Sequence, residues 1–290
     1  MRRKLAKLNR KPMADKPPTA PPAGSRAPET IVYARDLPRD QPRRVAEGGG
    51  ICMSLEDCVE GIEERSPLGP PFFLLERSMT EAPEEPEGGR LPAMLAEALE
   101  TLARRAAEAG QAWTVAPQDV CFLDLETTGL GCCPVFLIGT LVWRDGDLVC
   151  RQYLARTYAE ERSIVGAFAE QAGEAAMLVT FNGKTFDVPF LRTRAAATGV
   201  PLPEPPGHFD LLHESRRTFG DRLPNCKLTT LERHVCQRQR GDDIPGSDIP
   251  AAYHDFVRSG DARQIALIVK HNQWDLVTMV HLMKRVLGEA

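Results

Sequence analysis

The sequence predicts an α/β fold with a mixed central sheet, three antiparallel strands first and parallel strands after them, flanked by helices. Three observations carry this. Apolar runs at 120–123, 135–143 and 148–154 read as strands, and Arg144-Asp145-Gly146-Asp147 between the last two holds an Asp-Gly hairpin signal. Helical spacing over 159–173 then leads to a fourth strand at 177–181. Helical sequence dominates from there to the end, which excludes an all-β sandwich, while the strand runs exclude a bundle.

The elements follow in order. Residues 1–50 hold 12 Lys and Arg against 5 Asp and Glu, a charge of +7 within a chain of net charge −4, so the rest carries −11. Residues 11–28 are Pro/Ala-rich without apolar periodicity, and 1–46 is read as a disordered basic tail. Residues 47–117 are expected to form a small N-terminal element with a strand at 71–75, an exposed linker (EAPEEPEGGR, 81–90) and an amphipathic helix. Leu91, Met94, Leu95, Ala98, Leu99, Leu102 and Ala106 recur at helical spacing in that helix, which stops at Gly110. Residues 118–290 form the main domain. After its fourth strand come a loop (Asn182-Gly183-Lys184-Thr185), a helix over 187–198 and a proline-rich 201–207; everything beyond is expected to be helical, ending in a long helix over 262–287.

Bulk properties narrow the function classes. An apolar fraction of 42% is ordinary for a globular protein, and no stretch reaches the ~20 apolar residues of a membrane span. The basic start lacks the apolar segment of a signal peptide, so a soluble cytoplasmic protein is expected. Its eight cysteines are scattered and read as reduced thiols. Cys132 and Cys133 are adjacent, and Cys226 and Cys236 lack a second pair, so structural zinc is the poorer reading. An acidic body disfavours wholesale wrapping of nucleic acid but suits a local carboxylate site balanced by cations.

Carboxylates at three places carry the chemistry. Asp124 and Glu126 are two apart at a strand end, so both point to one face and can share a cation. Oxygen ligands of this kind suit Mg²⁺ or Mn²⁺. Read alone, Asp187 at a helix start is an N-cap. His271 and Asp275 lie four apart on one helical face, where an exposed polar stripe is the plain alternative. Asp210, in HFDLL, is read as a local cap or an additional ligand.

The ordered set is more specific than its parts: D-x-E ending the first main-domain strand, N-G-K-T-F-D after the fourth, H-x-x-x-D in the last helix. Together with FLDLETTGL, LVTFNGKTFDVPFL, HFDLLHESRR, CKLTTLERHV, DDIPGSDIP and HNQWDL, it resembles the DEDD superfamily of 3′-to-5′ exonucleases. The resemblance is closer still to the YprB-type ribonuclease H-like branch, and spans about 118–288. It implies a ribonuclease H-like fold in which Asp124, Glu126, Asp187 and Asp275 coordinate two Mg²⁺ or Mn²⁺ ions. His271 then orients or deprotonates the attacking water, a role suited to an ordinary histidine pKa of about 6.5. Thr128, Asn182, Lys184 and Phe186 become candidates to hold the terminal nucleotide, Phe186 by stacking or as core packing. Lys227 is read as a phosphate contact or a solvated lysine. The implied partner is the single-stranded 3′ end of DNA or RNA, with no membrane.

One feature departs from the pattern. Those exonucleases carry either histidine five residues before the last aspartate or tyrosine four before it, whereas here histidine stands at the tyrosine spacing. Two other readings stay open: a structure-selective endonuclease of the same fold, and a catalytically idle nucleic-acid-binding domain.

Overall fold

The apolar runs of the sequence become the centre of one seven-stranded sheet in the computed structural model, which describes residues 52–111 and 114–289. The expected disordered tail, 1–46, lies outside the described residues. The strands are β1 (Ile62–Glu64), β2 (Phe72–Ser78), β3 (Val120–Thr127), β4 (Val135–Arg144), β5 (Asp147–Leu154), β6 (Met177–Thr180) and β7 (Gly207–Asp210). Their order across the sheet is β1-β2-β5-β4-β3-β6-β7. Pairing is antiparallel from β1 to β3 and parallel from β3 through β6 to β7. The mixed sheet has the composition the sequence predicts.

Local chemistry explains the central strands. β4 buries every side chain from Val135 to Val142, as a strand covered on both faces must. Its hairpin to β5 turns through Asp145 (φ 50°) and Gly146 (φ 89°), two successive left-handed residues whose twist matches the flanking strands.

Helices cover both faces. They are α1 (Leu55–Cys58), α2 (Leu91–Glu108), α3 (Glu161–Glu174), α4 (Asp187–Thr198), α5 (Leu211–Phe219), α6 (Leu228–His234), α7 (Ile249–Ser259) and α8 (Arg263–Glu289). On one side Cys121, Leu123 and Leu125 of β3 pack with α3, α4 and α7. On the other, Val120 and Phe122 pack with α2, α5, α6 and the second half of α8. Because side chains alternate along a strand, Asp124 and Glu126 continue the Val120–Phe122 row and face α8.

Residues 207–210 are a strand, not the start of a helical region: β7 runs parallel to β6, with Met177 opposite Gly207 and Thr180 opposite Asp210. Four residues, Gly-His-Phe-Asp, are too short and polar to show periodicity, and it is the open edge of β6 that recruits them. In the 47–117 segment, β2 pairs with β5 from Phe73 opposite Leu154 to Ser78 opposite Val149, so it extends the main sheet. Among the described residues no helix is long and apolar enough to cross a membrane.

Candidate active site

The carboxylates gather where β3 and β6 end and α4 and α8 meet them. Asp124 leaves β3 toward α8, and Glu126 follows two residues on, beside an irregularity in the β3–β4 pairing at Glu126/Thr127. Bulges of this kind re-aim strand side chains at functional edges. Asp187 opens α4 as its first residue, and Asp275 comes from α8. Asp124, Asp187 and Asp275 line one open cleft of about 470 Å³, shared with Asn182, Phe186 and Lys227.

Glu126 and Asp187 are buried, and the charge of Asp275 bears on Asp124, Glu126 and Asp187 alike. Burial, then repulsion from Asp275, Glu126 and Asp187, holds the Asp124 carboxyl far above the usual range. Burial, then Asp275, Asp187 and Asp243, does the same to Glu126, against the pull of Arg240. Burial also raises Asp187, to about 7. The backbone N–H groups of Asp187 itself and of Leu125 oppose this shift, while Asp210 and Asp275 add to it. Concentrated negative charge with so little compensation is a demand for cations.

Protein donors steady the cluster. Asn272 Nδ2 donates to Asp124 Oδ2 at 2.8 Å, and Gln152 Nε2 donates to Asn272 Oδ1 at 2.8 Å, which fixes the amide's orientation. Asn272 reaches Asp124 across Gly139, which pairs with Asp124 on β4; a Cβ at Gly139 would sit 1.9 Å from Asn272 Oδ1. His271 Nδ1 lies 2.7 Å from Asp243 Oδ1, and its Nε2 lies 3.7 Å from Asp275 Oδ2. Arg240 bonds the other Asp243 oxygen at 3.3 Å and Oδ1 of Asp275.

Among the described residues no three acidic, histidine or cysteine side chains converge as a ready-made metal cage. In this arrangement Asp124 Oδ2 is turned to Asn272 and Asp275 Oδ1 to Arg240. The donor set itself, hard carboxylate oxygens in a charge-starved cleft, fits a divalent cation such as Mg²⁺ or Mn²⁺.

The remaining expected site residues divide. Asn182 and Phe186 are in the cleft wall, with Phe186 also packed against Phe190 at 5.6 Å between ring centroids. Lys227 lines the cleft too, as do Arg216 and Asn225. The structure does not bring Thr128 or Lys184 into the cleft lining: the Thr128 hydroxyl is bound to the Pro134 carbonyl at 3.1 Å, and the Lys184 side chain is exposed. Asp210 is a cap, donating nothing to the cleft: it accepts from Leu212 N–H at the start of α5 and from Asn182 and Lys184 N–H.

Residues 121–287 match the RNase_H_2 family of the RNase H superfamily. The chain belongs to that family. Protein YprB of Bacillus subtilis (strain 168), described as uncharacterized, is 31% identical over 178 residues, 58% of this chain and 43% of that protein. The match thus spans less than half of that relative's length. A solved family B DNA polymerase from the hyperthermophilic archaeon Pyrobaculum calidifontis is similar at 20% identity, with a TM-score of 0.45 over 59% of this chain and 24% of the polymerase. Membership in the RNase H superfamily makes this a nuclease-type fold.

Several residues around this RNase H-like cleft escape sequence reasoning. Asn272 and Asp243 lie inside the HNQWDL and DDIPGSDIP stretches, yet nothing in their spacing marks the one as a partner of Asp124 or the other as a partner of His271. Arg240 is not marked by its spacing, since Glu232 and Asp275 are remote in sequence, and Arg216 lies inside HFDLLHESRR with nothing there to mark it as a residue of the cleft.

Proposed function

We propose that the chain is a divalent-metal-dependent nuclease, a 3′-to-5′ exonuclease that hydrolyses the terminal phosphodiester of single-stranded DNA or RNA. The observation that carries this reading is the meeting of Asp124, Asp187 and Asp275, from a strand and two helices, in one open cleft, with Glu126 buried beside them. Asp124, Glu126, Asp187 and Asp275 would hold two Mg²⁺ or Mn²⁺ ions. When bound, such ions supply Lewis-acid stabilisation of phosphate charge and an acidified water.

The chain's own groups do the rest. Asp243 accepts from His271 while Arg240 occupies its second oxygen, so the imidazole proton sits on Nδ1 and Nε2 keeps the lone pair. Nε2, beside Asp275, takes a proton from the attacking water. Asn182 and Phe186 border the space for the terminal nucleotide, and Arg216 and Lys227, which line the same cleft, supply positive charge for its phosphates.

The test is product analysis with purified protein, Mn²⁺ and 5′-labelled single-stranded DNA and RNA. Stepwise shortening from the 3′ end is expected, and Asp124→Asn should slow it by about 10³-fold, the several kcal/mol that a metal contributes. Discrete internal fragments would instead assign an endonuclease, and undiminished cleavage by Asp124→Asn would remove the catalytic assignment.

A further inference from the structure

Arg240 belongs to the irregular segment between α6 and α7, and each of its three guanidinium nitrogens meets a different carboxylate. Nε donates to Glu232 Oε2 at 2.6 Å, Nη1 to Asp243 Oδ2 at 3.3 Å, and Nη2 to Asp275 Oδ1. Glu232 is itself anchored to α8, its Oε1 accepting from the Thr278 hydroxyl at 2.7 Å. The guanidinium carbon lies 5.9 Å from the centre of the Trp274 ring. Its side chain is almost wholly buried, so this is a fixed fork and not a solvated arm.

Two of these contacts close a ring of four side chains. Arg240 holds Asp243, Asp243 holds His271 Nδ1 at 2.7 Å, His271 Nε2 faces Asp275 Oδ2 at 3.7 Å, and Asp275 Oδ1 returns to Arg240. His271 and Asp275 stand on one helix four residues apart, which places both side chains on one face but does not fix the angle between their polar groups. Asp243 lies on a segment with no regular hydrogen-bond ladder to hold it. Among the described residues, the group that joins His271 in touching both Asp243 and Asp275 is Arg240, at the carboxylate oxygens His271 leaves free.

We propose that Arg240 is a positioning residue: its guanidinium fixes the His271 imidazole, through Asp243, and the Asp275 carboxylate relative to one another. This rests on the nuclease reading for its consequence in catalysis, though not for its geometry. Its competitor is plain neutralisation, in which Arg240 serves only as one positive charge among too many negative ones. The two differ in what lysine does at this site. Lysine keeps the charge but offers a single nitrogen in place of a planar fork, so it satisfies the electrostatics without holding two carboxylates at set angles.

The experiment compares wild-type protein with Arg240→Lys, and with Asp243→Ala as the variant less demanding of the fold. Side-chain ¹⁵N NMR of His271 in chelator-treated protein should show one tautomer, protonated at Nδ1, in the wild type, and signals moved toward the two-tautomer average in both variants. With Mn²⁺ restored, kcat should fall about 10- to 100-fold, the usual cost of losing a partner that orients a metal-site ligand. KM for the oligonucleotide should stay within about threefold, because binding contacts are untouched. The double variant should be no worse than the poorer single one, since Asp243→Ala breaks a route to His271 that the Arg240 variant already breaks.

An unchanged tautomer in Arg240→Lys, with kcat within about twofold of wild type, would overturn the proposal in favour of neutralisation. Should Arg240→Lys fail to fold, Arg240→Gln decides: positioning predicts a moved His271 tautomer, whereas lower activity with an unchanged tautomer would overturn it. Should the wild type neither bind Mn²⁺ nor cut nucleic acid, the nuclease reading falls alone, because the tautomer comparison in metal-free protein still stands or fails by itself.

Discussion

Asp124 owes its place to a residue with no side chain. Gly139 leaves the gap through which Asn272 crosses β4 to reach Asp124 on one side and Gln152 on the other. Any Cβ would intrude to 1.9 Å from Asn272 Oδ1, far inside contact distance, and it would ride on the central strand of the sheet, which cannot yield. Gly139→Ala therefore displaces Asn272 and leaves Gln152, a buried amide, with one of its two acceptors, the Val269 carbonyl. The expected cost is about 1–3 kcal/mol, the range for overpacking a filled core. Nuclease activity should fall with it, because Asp124 loses its donor. Urea unfolding at an unchanged m-value measures the first part, and a loss below about 0.5 kcal/mol would show that the Asn272 crossing is not rigid.

At the scale of elements, the last strand is a clamp for the loop that precedes α4. Asp210 ends β7 and spends its two carboxylate oxygens on three backbone N–H groups: Leu212 at 3.0 Å, Asn182 at 2.9 Å and Lys184 at 3.0 Å. It thus caps α5 and also pins the turn in which Asn182 adopts φ 66°, just ahead of Asp187. Asp210→Ala should cost about 2–4 kcal/mol, combining a lost cap with charged hydrogen bonds to buried N–H groups. Hydrogen exchange at Asn182 and Lys184 should accelerate more than exchange at the centre of β4. Equal acceleration at both places would mean that Asp210 supports the fold in general and not this turn.

The same elements show what the sequence makes legible. β3, β4 and β5 announce themselves because their apolar runs and the Asp-Gly turn are local, and α8 because its buried face repeats over many turns. β7 is silent because its pairing with β6 is what makes it a strand. The carboxylates Asp124, Asp187 and Asp275 are visible as spacing, but Asn272, Arg240 and Asp243 act through contacts that no spacing encodes.

For the whole molecule, two opposed titrations decide how stability varies with pH. Asp187 has an ordinary pKa of 3.8 and a folded value of about 7, so between those limits the folded chain keeps a proton that the unfolded chain has released. Stability from this group is complete below the lower value and lost as pH rises through the upper one. Asp124 and Glu126 are raised for the same reason and act in the same direction. His281 does the reverse. Burial first, then Arg238, Arg285, Arg90 and Lys284, lower it from 6.5 to about 3, so its contribution is present above 6.5 and lost as pH falls toward the folded value. A single melting curve mixes the two. A metal ion separates them, because it binds deprotonated carboxylates and must displace their protons, whereas His281 lies outside the cleft and weighs equally with and without metal. The rise in Tm on replacing chelator by Mn²⁺ should therefore be small near about pH 5 and grow to its full size by about pH 7.5. Asp187→Asn, which removes the proton in question, should flatten that growth. A rise of the same size at both pH values would mean that the cation stabilises the fold from somewhere other than these carboxylates.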